Sequence, residues 1–215
     1  MSTPNKPIYS SAEIIDFYSE RLKEFGDSSR GVGWKNDRAQ IIRFLQLARV
    51  FQKREHFSVN DFGCGTGEFY KFLLSQNFNE VTYNGYDILP DMVAAATEKI
   101  GQHSNVRLYK IDSPADLVSA DYSVASGVFN VKYEATDSEW LSHILSALNV
   151  LNAKSIMGFS VNFLTLYSDK EFKQSYLYYA DPLFIFDHCL KNFSKNVALL
   201  HDYDQFDFTI IVRKN

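Results

Sequence analysis

From residue 57 onward, short apolar runs alternate with amphipathic stretches, the pattern of strands separated by helices. Phe57 to Asp61, Val81–Asp87, Val106–Ile111, Tyr122–Ser126 and Ser155–Phe163 read as five strands. Between them, Glu68–Gln76 and a stretch from Pro90 through Ile100 read as helices, as does Asp137–Leu151 with Trp140, Ile144, Leu145, Leu148 and Leu151. After a long loop, Asp181-Pro182 opens a further helix by side-chain capping and a proline in the first turn. Asn196–His201 and Phe206–Arg213 then read as a terminal antiparallel hairpin. Two helices precede the first strand. One starts at Ser10, with Glu13 completing a capping box, and runs through Ile14, Phe17 and Leu22 to Gly26. The other starts near Asn36 and places Ile41, Ile42, Leu45, Ala48 and Phe51 on one apolar face. The expected fold is α/β: a doubly wound, seven-stranded sheet ending in an antiparallel hairpin strand, with two N-terminal covering helices.

Length and charge narrow this picture. At 215 residues one domain is expected, residues 1–55 forming a helical cover and 56–215 the α/β core. The formal charge is −4, and Lys53-Arg54 is the only adjacent basic pair before Arg213-Lys214, so nucleic acid is disfavoured as a partner. No apolar run approaches the roughly 18 residues of a membrane span, and the N-terminus lacks a signal-peptide core; the expected location is cytoplasmic. Cys64 and Cys189 are too few for a disulfide framework or a metal-ligand set. Both are expected to be reduced thiols.

The chemistry concentrates where the first strand ends, in Asp61-Phe62-Gly63-Cys64-Gly65-Thr66-Gly67. Glycines remove the Cβ atoms that hold a ligand away, and the helix that follows presents unpaired N–H groups. The dinucleotide fingerprint is G-x-G-x-x-G, whereas the spacing here is G-x-G-x-G with Asp61 two places earlier. This stretch resembles motif I of the class I S-adenosylmethionine (SAM) dependent methyltransferases. Their Rossmann-like sheet also ends with an antiparallel strand beside the fifth, as the terminal hairpin suggests. Further pieces resemble a bacterial group of small methyltransferases: Trp34 after Gly31-Val32-Gly33, then Gln40 and Arg43-Phe44, Ala125 to Asn130, Asn162-Phe163, Tyr178 to Pro182, His201 to Tyr203, and Asp207 to Thr209.

The resemblance implies SAM as cofactor and S-adenosylhomocysteine (SAH) as product, held by Asp61, Gly63, Cys64, Gly65 and Gly67. Asp87, at the carboxyl end of the second strand and about twenty residues past the glycines, is expected to accept both ribose hydroxyls; its bland alternative is a cap on the Pro90 helix. Ile88 would pack on the adenine. Asp112 and Ser113 would meet the adenine amino group or cap a short helix at Pro114, and Ser126 would lie beside the sulfonium. Trp34 would wall the methionine end or simply pack in the core, with Gln40 and Arg43 as alternative polar partners.

The acceptor is expected to be a small molecule. Phe163, Tyr167, Phe172, Tyr176, Tyr178, Tyr179 and Phe184 crowd the region after the fifth strand, as would suit a flat or apolar acceptor or the packing of a sheet edge. Candidate catalytic residues are His201 and Tyr179 as bases and Asn130, with Asn162, as orienting groups. The [DNS]-P-P-[FYW] motif of amino methylation is absent after Asn130, and no acidic cluster suggests a metal. Two other functions remain: a nicotinamide-dependent oxidoreductase, and a non-catalytic SAM-binding or regulatory protein.

Overall fold

The computed structural model describes residues 12–26, 28, 31, 36–52 and 56–214. Helices α1 (Ala12–Phe25) and α2 (Asp37–Leu47) precede an alternation of β1 (Phe57–Phe62), α3 (Glu68–Ser75), β2 (Val81–Asp87), α4 (Pro90–Ile100), β3 (Val106–Lys110) and β4 (Ala120–Ala125). There follow α5 (Asp137–Lys154), β5 (Ser155–Leu164), α6 (Pro182–Asn192), β6 (Asn196–Leu200) and β7 (Asp207–Arg213). The capping box expected at Ser10 falls outside the described residues.

The seven strands form one sheet in the order β3-β2-β1-β4-β5-β7-β6. β1 to β5 run parallel, and β7 enters antiparallel between β5 and β6. The reversal of strand order between β1 and β4 opens a crevice at the carboxyl ends of the strands, where such sheets bind ligands. The central strands are buried on both faces, as parallel strands are when helices cover them. One core gathers Phe62, Trp140, Ile144, Leu148, Phe159, Phe163 and Phe208; the other gathers Phe44, Leu47, Phe57, Val59, Phe69, Tyr83 and Ile211.

Helix ends follow local chemistry. Gly26 takes a left-handed φ of +62° just past α1, and Asn36 caps α2 by accepting from Ala39 N at 2.9 Å. Thr136 and Glu139 form a capping box that starts α5. The buried face of α2 differs from the one its apolar spacing implies. Ala39, Gln40, Arg43, Phe44 and Leu47 are buried, whereas Ile41 and Leu45 are more than 40% exposed. Phe44 and Leu47 enter the core on this face, and Arg43 between them is accommodated by a buried carboxylate, Asp207 of β7.

Gly158 lets β7 lie against β5. A Cβ there would stand 2.2 Å from the Val212 carbonyl oxygen, part of an unyielding backbone. Gly158→Ala is expected to cost about 3 kcal/mol by forcing the two strands apart. Urea denaturation checks this, and a loss below about 0.5 kcal/mol, the scale of an ordinary surface change, would contradict it.

Candidate active site

The turn after β1 is fastened to the neighbouring strand β2. Gly63 N and Cys64 N both donate to the Tyr86 carbonyl, at 2.8 and 2.9 Å, and Gly65 N donates to Asp87 Oδ2 at 2.9 Å. The other oxygen of Asp87 accepts from Leu89 N at 3.0 Å. Gly63, Gly65 and Gly67 all have positive φ, which side chains resist. Close approach matters as well: a Cβ on Gly63 would lie 2.5 Å from Val128 Cγ2, and one on Gly67 would lie 2.6 Å from Ile100 Cδ1. The first glycine thus admits the loop after β4, and the third lets α3 pack on α4.

Above this turn lies a cavity of about 450 Å3, within the usual range for a small-molecule site. Of the residues singled out from sequence, Asp61, Gly63, Cys64, Gly65, Asp87 and Ile88 line one side. Ser126 and Asn130 line the other, and Gln40 and Arg43 of α2 close the back. α1 forms a roof through Ile14, Phe17, Tyr18 and Arg21, one helical face at spacings of three and four. The Phe17 ring meets Tyr133 at 5.9 Å and Tyr176 at 6.2 Å, joining the roof to the loops after β4 and β5. The roof residues Tyr18 and Arg21 were not anticipated as cavity residues, although their spacing from Ile14 and Phe17 was visible.

Other candidates stand apart. Gly67 does not line the cavity. Asp112 is exposed and pairs with Lys110, while Ser113 accepts from Ala115 N at 3.2 Å and forms a capping box with Asp116. Tyr179 turns away: its hydroxyl accepts from Gln174 N at 2.9 Å, and Lys173 lies over its ring. His201 is exposed just past β6, beside the rings of Tyr167 and Phe208. Because β7 separates β6 from β5, His201 sits about 10 Å in strand spacings beyond the cavity's last strand. Neither candidate base therefore reaches the cavity wall. Trp34 lies outside the described residues.

Residues 60–150 match the family model of a methyltransferase domain. Over 169 residues the chain is 45% identical to the Mycobacterium tuberculosis protein named "Putative methyltransferase Rv1506c", covering 77% of this chain and 98% of that one. The chain belongs to the class I SAM-dependent methyltransferases. Solved members share its fold. The magnesium protoporphyrin IX methyltransferase of Synechocystis PCC 6803 with bound SAH superposes with a TM-score of 0.63 at 17% identity, covering 94% of this chain and 99% of that one. The N-methyltransferase NodS of Bradyrhizobium japonicum, also with SAH, gives 0.64 at 11% identity, covering 92% and 97%.

The methyltransferase cavity is electrostatically tense. Burial raises the Asp61 carboxyl to about 7, against a hydrogen bond from the Tyr83 hydroxyl that favours the carboxylate, and Asp87 adds repulsion. Burial raises Asp87 too, opposed by its backbone N–H donors. Beside these carboxyls the Cys64 thiol is pushed well up, chiefly by burial and then by the Asp87 and Asp61 charges, which disfavours the thiolate. Across the cavity, Ser126 Oγ and Asn130 Oδ1 are buried with no hydrogen-bond partner among the described residues. Asn162 Oδ1 accepts from Gly127 N at 2.8 Å and so holds the turn that carries Ser126.

The Asp61 shift has a definite sign in stability. Between about pH 4 and pH 7 the folded protein keeps a proton that the unfolded chain has released, so this residue's contribution falls as pH rises through that window. Asp61→Asn removes the linkage. The ligand-free variant is expected to gain on wild type by a few kcal/mol between pH 5 and pH 8. Denaturant midpoints at the two pH values check this; a constant difference would contradict the buried, protonated Asp61.

Proposed function

We propose that this methyltransferase transfers the SAM methyl group to a small-molecule acceptor, with the cofactor's ribose on Asp87. The observation that carries the reading is the Asp87 carboxylate at the end of β2, held at both oxygens by backbone N–H groups of Gly65 and Leu89. Each carboxylate oxygen keeps a second lone pair, so two ribose hydroxyls can be accepted without breaking those bonds. The donor set fits the cofactor. Asp61, beside the glycine turn, suits its ammonium, Arg43 and Gln40 its carboxylate, and Ile88 an adenine face. Gly67, Asp112 and Ser113 serve mainly to shape and cap the elements around it.

When bound, SAM supplies a methyl group on a sulfonium, which leaves by in-line displacement. The chain's part is alignment and exclusion of water. Asn130 and Ser126 are neutral, so they orient an acceptor group without removing its proton. Phe17, Val131, Tyr176 and Leu177 give that half of the cavity an apolar wall suited to a flat or apolar acceptor. The similarity to methyltransferases named for magnesium protoporphyrin IX and for N-methylation supports a small acceptor, and the −4 charge supports it over nucleic acid. Helices α1 and α2 act as the cover of a single domain. Two buried, unpaired cysteines suit a reducing, cytoplasmic setting. Among the described residues no helix is long and apolar enough to cross a membrane. Neither the oxidoreductase nor the non-catalytic alternative gains an observation of its own.

Calorimetric titration with SAH, using NADH as a control, is expected to show binding of SAH alone. Asp87→Ala is expected to weaken SAH by about 1.5–3 kcal/mol, the worth of hydrogen bonds to a charged group. Binding of NADH instead, or unchanged SAH affinity in the folded variant, would overturn the reading.

A further inference from the structure

Arg43 is a charged residue in the middle of a buried helix face, and the fold provides for it. Its Nε forms an ion pair with Asp207 Oδ2, and its Nη1 donates to the Ala39 carbonyl at 2.8 Å. Asp207 is only 1% exposed, opens β7 opposite Leu164 of β5, and does not itself line the cavity. Arg43 and Leu164 do line it. The carboxylate thus stands one layer behind the wall and fixes the guanidinium that forms part of it.

We propose that Asp207 is a positioning residue for the cofactor's amino-acid end: it clamps Arg43 so that the guanidinium faces the α-carboxylate of bound SAM. This rests on the reading above that the cavity holds SAM. Direction along the sheet supplies the argument. Asp87 on β2 fixes the adenosine end, and passing from β2 across β1 and β4 to β5 and β7 leads away from it. A guanidinium anchored on β7 faces the opposite end of the ligand, where the anionic group is the α-carboxylate. An Arg side chain has long rotamer freedom, and a planar fork pre-oriented by a buried partner loses less of it on binding. A carboxylate in contact with the wall would repel the ligand; one layer back, it orients the cation and stays out of reach.

The test compares SAH with 5′-methylthioadenosine, which shares the adenosine and sulfur and lacks the amino-acid end. Asp207→Asn is expected to weaken SAH about tenfold and to leave 5′-methylthioadenosine unchanged. In an Arg43→Ala background the same substitution is expected to add nothing further, since Asp207 acts through Arg43. Should Asp207→Asn not fold, Asp207→Glu keeps the charge, displaces it by one methylene, and is expected to show the same selective loss. Unchanged or tighter SAH binding would overturn the proposal and make Asp207 a mere counter-charge. Equal weakening of both ligands would also overturn it, as general damage to the site. A wild-type protein that binds neither ligand would instead overturn the cofactor reading on which the proposal stands.

Discussion

The ligand end of this sheet depends on how the Gly63–Gly67 turn is held, and β2 holds it. One carbonyl, that of Tyr86, accepts from two successive N–H groups of the turn, and the side chain of the next residue, Asp87, accepts from a third. Three donors that would otherwise point into a dry crevice are satisfied by a single neighbouring strand. The consequence is rigidity. A turn with three left-handed glycines has many conformations open to it, and these bonds select one of them. On the proposed reading, the same carboxylate that braces the turn also accepts from the cofactor's ribose, so bracing and binding meet at Asp87.

That economy has a cost in charge. Asp61 and Asp87 are both buried, and burial together with the Asp87 charge raises the Asp61 carboxyl to about 7. A bound cation would repay it. Burying two carboxyls side by side is poorly optimised for stability alone, as functional sites commonly are.

Much of the fold was legible because each segment carries its own boundary marks. β2 and α4 begin and end where the sequence places them, since the apolar run stops at Asp87 and Pro90 can only open a helix. The glycine spacing located the cavity floor for the same reason: those residues act on their own backbone. What was not legible depends on distant partners. The burial of Arg43 on α2 depends on Asp207, more than 160 positions away, and no periodicity within the helix encodes that pairing. His201 and Tyr179 looked suitable as bases by residue type, yet strand order keeps the one beyond β7 and a local hydrogen bond turns the other aside. Gly67 packs against α4 at Ile100 and Ala96, since a missing Cβ serves a neighbouring helix as readily as a ligand.

The antiparallel strand β7 ties these threads together. A sheet of five parallel strands would end at β5, which meets α2 through Ser160 Oγ donating to the Leu47 carbonyl but offers Arg43 no carboxylate. Inserting β7 extends the floor beneath α2 and starts with Asp207, paired in register with Leu164 at the cavity wall. The strand therefore does more than protect an edge. It delivers a buried carboxylate to the one place where a helix covering the crevice needs a partner for its cation. On the proposed reading, Arg43 reaches back from the cavity wall to a carboxylate that only the inserted strand can supply, so the sheet's topology supports the site from behind.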